Sequence, residues 1–276
     1  MWGILKFILI LLSPFFVVIF LLLLCIFSHY YYLRVFCKIN PIPSDRKPTD
    51  FFYKPDTGFL KRLFWSFPQR FAIDKIERDP NEFKPHSLHL FVGKQGTGKT
   101  TAMCHMILTL MSKYPKCKVF TNMDFKYQHG EINHWHDIID HDNGTYGCIE
   151  VLDEIHTWFS SNESKNFPVS MLSTISQQRK SRKMILGSAQ VFSRVAKPIR
   201  EQTYKVYCPK TYFGCVTRVK VTSPEFWNDE KQRFTQFERS YWFVHDDILR
   251  NSFDTYKKIQ KYKEVGFKDE KILDSN

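Results

Sequence analysis

None of the seven cysteines stands in a C-x-x-C pair; Cys25, Cys37, Cys104, Cys117, Cys148, Cys208 and Cys215 are scattered and odd in number. That pattern excludes a disulfide scaffold and a zinc knuckle, and it suits a reducing compartment. No internal repeat and no low-complexity tract is present, so a repeat architecture is not expected. Acids are in the minority, 28 against 40 Lys and Arg, and the net charge of +12 gives the surface a field that attracts polyanions or anionic lipid. With 43% apolar, 16% aromatic and 25% charged residues the chain has material for a core, which excludes disorder as its main state. Its 276 residues are long for one domain and short for two.

Charge is also missing from Phe7 to Phe27. At about 1.5 Å per residue this run reaches roughly 30 Å as a helix, the thickness of a bilayer core, and it predicts a single membrane span. A cleaved signal peptide would have an apolar region about half as long, followed by small residues, whereas Ser28-His29-Tyr30-Tyr31-Tyr32 follows here. The tyrosines suit the headgroup zone. Arg34, Lys38, Arg46 and Lys47 outweigh Lys6 on the other flank, which places the bulk of the chain on the cytoplasmic side. Residues 1–36 are therefore expected to be an anchor and 37–84 a juxtamembrane linker, broken by Pro41, Pro43, Pro48, Pro55, Pro68 and Pro80. Within the linker, Lys61-Arg62-Leu63-Phe64-Trp65 suits either an anionic lipid surface or a short helix packed on its own domain.

Leu88–Val92 is a strand-like apolar run that leads directly into Gly93-Lys94-Gln95-Gly96-Thr97-Gly98-Lys99-Thr100, and Thr101 to Leu110 is free of glycine and proline. G-x-x-x-x-G-K-T between a strand and a helix is the phosphate-loop arrangement. Its glycines let successive backbone N–H groups turn inward, and the helix start adds partial positive charge, so Gly93 to Thr101 are expected to cradle ATP. Lys99 would reach the β- and γ-phosphates and the Thr100 hydroxyl would hold Mg²⁺.

Cys148 to Leu152 reads as a second apolar strand ending in Asp153 and Glu154. In a parallel sheet such acids emerge at the carboxyl edge beside the phosphates, with Asp153 serving Mg²⁺ and Glu154 polarising the attacking water. Glu150 interrupts the apolar pattern and marks either an exposed edge or a buried ion pair. A third strand, from Lys183, ends near Ser188 and Gln190, either of which could sense the γ-phosphate or the water; Gln190 is placed with Lys99 and Glu154 among the expected catalytic residues. The helix from Met171 is followed by basic residues, and Arg179, Arg182, Arg194 or Arg200 could reach a neighbouring subunit's nucleotide.

Gln128–His141 holds His129, His134, His136 and His141 at spacings that match no common zinc motif; a surface helix is expected. Tyr204–Cys208 and Cys215–Val221 alternate around Pro209–Gly214, which predicts a hairpin with Cys208 and Cys215 near-facing and with Lys205, Arg218 and Lys220 projecting from alternate positions. The ATPase domain is expected over 85–242 and a helical tail, carrying Lys257, Lys258, Lys261 and Lys263, over 243–276.

Asp153-Glu154-Ile155-His156 resembles the DExH box of two-domain helicases, but too little chain follows Gln190 for the second RecA-like domain that such a site needs. Taken together, GKQGTGKT, VFTNMD at Val119–Asp124, VLDEIH at Val151–His156, the QQRK turn at Gln177–Lys180 and LGSAQ before Arg194 and Arg200 resemble the zonula occludens toxin (Zot)-like ATPases. That family includes the filamentous-phage assembly proteins and is similar in its core to the FtsK and HerA motors. The likeness spans about Pro85 to Val221. It implies a mostly parallel RecA/FtsK-like α/β sheet flanked by helices, preceded by the transmembrane helix and followed by a β-hairpin and helical tail. It also implies an ATP- and Mg²⁺-dependent ATPase in a homo-oligomeric ring, expected to be a hexamer, that moves DNA or phage coat and secretion proteins. The span precedes the ATPase segment, the FtsK-like order. The rival expectation is an ATP-switched membrane scaffold with little turnover.

Overall fold

A computed structural model of the chain describes residues 2–36, 58–77, 79, 81–161 and 169–253, which fall into two compact units dividing after Pro80. The first unit contains α1, Trp2–Phe36, then α2, Phe59–Lys61, a π-helical turn, Arg62–Ser66, and α3, Phe67–Glu77. Within α1, Ser13–Val35 is long and apolar enough to cross a membrane by length and composition. The basic-aromatic KRLFW piece is helical and packs within this unit: α3 lies along α1, the Trp65 ring meets His29 edge-on at 4.8 Å, and the Lys75 ammonium sits 5.9 Å from the Tyr30 ring. Pro68 lies just beyond the π-helical turn inside an unbroken helical run from Phe59 to Glu77, where its missing N–H removes one bond of the ladder. The linker residues 37–57 lie outside the described residues.

The second unit alternates strands and helices: β1 Ser87–Val92, α4 Lys99–Lys113, β2 Lys118–Thr121, β3 Gly130–Glu131, α5 Asp137–Asp140, β4 Cys148–Leu152, α6 Val169–Ser176, α7 Gln178–Ser181, β5 Lys183–Ala189, α8 Lys197–Gln202, β6 Thr203–Tyr212, β7 Val216–Thr222, β8 Trp227–Asn228, β9 Arg233–Phe234, β10 Arg239–Val244 and α9 Asp247–Arg250. Eight strands form one sheet in the order β10-β7-β6-β1-β5-β4-β2-β3; β8 and β9 pair separately. From β6 to β3 every pair is parallel, whereas β7 and β10 extend the sheet antiparallel. Strand alternation sorts the apolar side chains onto two faces. Phe91, Ile149, Val151, Met184 and Leu186 join the core under α4, while Leu88, Leu90, Leu152, Ile185 and Ala189 join the core on the α6 and α8 side. Both faces are covered, which is why these strands read as nearly continuous apolar runs.

Several expectations are corrected. Pro209 is inside β6, opposite Val219, and the turn is Phe213-Gly214-Cys215. Pairing of β6 with β1 reaches only to Tyr207, so Pro209 has a free strand edge on that side and its missing N–H is tolerated. Cys208 therefore faces Lys220 rather than Cys215. Lys205 points to the sheet face opposite Arg218 and Lys220, with its ammonium on Glu238 and 2.8 Å from the Ser223 hydroxyl. The helix expected over Gln128–His141 is limited to α5. Phe243 and Val244 belong to β10, and Lys257, Lys258, Lys261 and Lys263 lie outside the described residues.

Candidate functional site

The loop between β1 and α4 is built by local chemistry. Its first residue, Gly93, donates its N–H to the Ala189 carbonyl at 3.2 Å, tying the loop to the end of β5. Thr97 donates both its N–H, at 3.3 Å, and its hydroxyl, at 2.8 Å, to the Lys94 carbonyl, which closes a tight turn. Gly96 and Gly98 have φ of 77° and 88°, a left-handed conformation that a side chain disfavours. On Gly98 a Cβ would also collide with the Thr211 hydroxyl. No side chain caps α4 and its first turn holds no acid, so its leading N–H groups point outward with partial positive charge.

Lys99 is buried, 7% exposed, yet its ammonium has only the Lys94 carbonyl, at 3.3 Å, and no carboxylate among the described residues. A buried cation without a counter-ion is costly unless an anion joins it. Lys94, Gln95 and Gly96 are exposed, and Gly93, Thr97, Gly98, Thr100 and Thr101 are half-buried along the same loop and helix start.

At the carboxyl end of β4 the chain fastens Asp153 from two sides. The Asp153 N–H donates to Asn122 Oδ1 at 2.7 Å, and Asn122 Nδ2 donates to the Asp153 carbonyl at 3.0 Å. The Ser188 hydroxyl donates to the Asp153 carboxylate and accepts the Glu154 N–H at 2.9 Å. Ser188 is wholly buried on β5, in register with Phe91 of β1, so it sits between the glycine-loop strand and the acid strand. Glu154 has φ 54°, and its Oε2 lies 3.2 Å from His156 Nδ1. Beneath the site, burial first and then the charge of Asp153 push the Cys104 thiol well above its usual range, so it is packing and not a nucleophile.

Of the expected residues, Gly93 to Thr101 form one loop and helix start, and Asp153, Glu154 and Ser188 form one hydrogen-bonded cluster at the same sheet edge. Gln190 follows β5, next to the residue that anchors Gly93, and its amide makes no side-chain hydrogen bond among the described residues. Arg182 is engaged by Glu82 at 2.9 Å, and Arg200 lies 3.8 Å from Asp229 and over the Phe192 ring. Arg179 and Arg194 are exposed and make no ion pair among the described residues. Glu150 is a buried group, not an exposed edge: it meets His141 Nδ1 at 3.0 Å. Asn122 and His156 stood inside quoted motifs without a role of their own, and Thr211 was not singled out; strand order brings Asn122 and Thr211 to the site.

Parallel strands in the order β6-β1-β5-β4-β2, with the glycine loop on β1 and one strand intercalated before the acid-bearing β4, define a P-loop NTPase fold of RecA/FtsK-like type. No protein-family model matches the chain, and no curated protein sequence matches it. The chain is similar to the N-terminal domain of zonular occludens toxin from Neisseria meningitidis, with 16% identity over 61% of this chain and 98% of that one, TM-score 0.46. It is also similar to the genome-packaging NTPase of Sulfolobus turreted icosahedral virus 2 in complex with ATP-gammaS, with 12% identity over 49% and 78%, TM-score 0.38. A third such structure is the flagellar accessory protein FlaH from Methanocaldococcus jannaschii, with 12% identity over 50% and 79%, TM-score 0.36.

Proposed function

We propose that the chain is a membrane-anchored, ATP-hydrolysing motor of the Zot and FtsK–HerA type, driving phage or virion assembly and export or DNA translocation. The reading is supported above all by one observation: the Lys99 ammonium is buried in a glycine loop with a carbonyl as its partner and no counter-ion among the described residues. A triphosphate fits that cradle, because it supplies the missing negative charge and acceptors for the outward N–H groups of α4. The donor set also fits Mg²⁺, with the Thr100 hydroxyl and the Asp153 carboxylate as hard oxygen ligands. Bound there, the metal would supply positive charge that offsets the charge of the phosphates.

The chain's own residues then divide the work. Lys99 and the loop amides orient the phosphates. Ser188 and Asn122 hold Asp153 at one rotamer and position. Glu154, released from His156, accepts a hydrogen bond from water and takes its proton, and Gln190 orients that water beside it. Arg179 and Arg194, which make no ion pair among the described residues, are the candidates to complete a neighbour's site in a ring. Residues 1–36 serve as the anchor and 37–84 as the linker, and the cytoplasmic ATPase domain runs from 85 past 242 to take in the end of β10 and α9.

The test is steady-state ATP hydrolysis by the full chain in detergent, with and without DNA, for the parent, Lys99→Ala and Glu154→Gln. Glu154→Gln should retain ATP with magnesium while losing about 10²–10⁴-fold in turnover, and Lys99→Ala should lose nucleotide. Parental turnover in Glu154→Gln would overturn the assignment.

A further inference from the structure

The antiparallel extension made by β6, β7 and β10 has two unlike faces. Val219, Val221 and Phe243 are buried in the core beneath α4. On the opposite face the register sets Lys210 beside Arg218, Arg218 beside Trp242, Cys208 beside Lys220, and Tyr212 beside Val216. Among the described residues nothing covers the outer end of this face: Trp242 is 56% exposed.

Its side chains are organised rather than scattered. The Tyr212 and Trp242 rings stack at 5.6 Å between centroids. The Arg218 guanidinium lies 5.3 Å from the Trp242 ring, the Lys210 ammonium 5.3 Å from Tyr212, and the Lys220 ammonium 4.9 Å from Phe237. None of these three cations pairs with a carboxylate among the described residues, and the chain from Thr203 to Thr222 contains no acid at all. At the hairpin tip Phe213 is 97% exposed and has φ 52°, a strained conformation for an aromatic residue in a turn that favours Asn, Asp or Gly. Its ring is thereby held in solvent at the end of the hairpin.

We propose that this face binds single-stranded nucleic acid, with unpaired bases stacking on Trp242, Tyr212 and Phe213 and phosphates meeting Lys210, Arg218 and Lys220. Unopposed cations attract a polyanion, and the exposed Trp242 and Phe213 rings, with half-buried Tyr212 beside them, match bases freed from a duplex. A duplex presents its phosphates but hides the faces of its bases, so it uses only half of the surface. A lipid surface would draw on the same charges but gives the stacked rings no partner. The inference deepens the motor reading by naming its cargo, but it rests on residues outside the phosphate loop.

The test is fluorescence anisotropy of labelled oligo(dT), oligo(U) and a duplex with the full chain in detergent, across a salt series. Oligo(dT) or oligo(U) should bind with a steep salt dependence, and at least about tenfold more tightly than duplex. Comparing the two oligomers separates DNA from RNA. Trp242→Ala should weaken binding by about tenfold, Trp242→Phe should restore most of it, and the double variant Arg218→Ala, Lys220→Ala should flatten the salt slope. Equal binding to duplex, or an unchanged affinity in Trp242→Ala, overturns the proposal. So does a double variant that loses flotation with phosphatidylserine vesicles while keeping oligomer binding, which would make the face a lipid surface. ATP hydrolysis is read in parallel: turnover without oligomer binding sinks this inference alone, and oligomer binding without turnover sinks the motor alone.

Discussion

The Thr211 hydroxyl donates to the carbonyl of Thr97 at 3.4 Å, so a residue of the β6 strand end braces the phosphate loop directly. The brace continues away from the loop, through the Thr217 hydroxyl at 2.8 Å and from there to His245 Nε2 at 2.8 Å. Because side chains alternate across a strand, Thr211 and Thr217 face the loop while their neighbours Lys210 and Arg218 face the proposed nucleic-acid surface. Thr211→Val keeps the volume and removes the hydroxyl. We expect the KM for ATP to rise about threefold to tenfold with a smaller change in kcat, and Thr211→Ser to behave as the parent. Linkage makes the relation reciprocal: if ATP changes oligomer affinity in the parent, oligomer must change ATP affinity by the same factor. Titrating each ligand in the presence of the other checks this.

Ser188 is the joint between the acid strand and the strand beside the phosphate loop. Its hydroxyl serves the Asp153 carboxylate and the Glu154 amide together, so one substitution loosens both acids. Ser188→Ala should lower kcat by about tenfold and cost about 1 kcal/mol of stability, since the half-buried Glu154 N–H loses its acceptor. Urea unfolding and steady-state kinetics on the same preparation separate the two effects. An unchanged kcat would show that Asp153 is held by Asn122 alone.

The phosphate loop was legible because everything it needs is local. A strand, eight residues and a helix start carry its geometry, and Lys99 is buried by its immediate neighbours. Asp153 and Glu154 were legible for a similar reason, as acids at the end of an apolar strand. What joins them was not. Ser188 is 35 residues from Asp153, and Thr211 is 114 from Thr97; both contacts depend on strand order, which no short pattern encodes. Pro209 misled for a physical reason: proline usually marks a turn, yet here it occupies a strand edge that β1 no longer reaches. Glu150 left two readings open, and only the position of His141 decides between them.

The buried pair Glu150 and His141 predicts an asymmetry. Burial outweighs the hydrogen bond from His141 and raises the Glu150 pKa above its usual value. A raised folded-state pKa contributes stability that is full below the unfolded value and is lost as pH rises through the folded one. Once ionised, the buried carboxylate is therefore a burden, and its Oε1 has no nitrogen or oxygen partner among the described residues. Glu150→Gln should be neutral or stabilising by about 1 kcal/mol at pH 7, whereas His141→Ala, which strips the carboxylate of its partner, should cost about 3 kcal/mol. Thermal unfolding of the two variants at pH 7 gives the comparison directly. Destabilisation of both to the same extent would mean that the pair as a whole is net favourable.

His89 supplies the opposite pH dependence. It is buried on β1, near His86 and Lys205, and burial above all brings its pKa down from 6.5 to about 4. The neutral ring is already satisfied: one nitrogen lies 3.2 Å from the His86 carbonyl and the other 3.3 Å from the Tyr207 hydroxyl. In the unfolded chain the same ring takes up a proton near pH 6.5, so between the two values the unfolded state binds more protons and is favoured by acid. The contribution is fully present above pH 6.5 and is lost as pH falls through about 4, a swing of order 3 kcal/mol at about 1.4 kcal/mol per pKa unit. His89→Leu should be less stable than the parent at pH 7, because Tyr207 and the His86 carbonyl lose their partner, yet the gap should narrow by most of that swing at pH 4.5. Chemical denaturation of both proteins at pH 7 and pH 4.5 measures the difference, and a gap that stays constant with pH would show that the ring is solvated or charged in the folded protein.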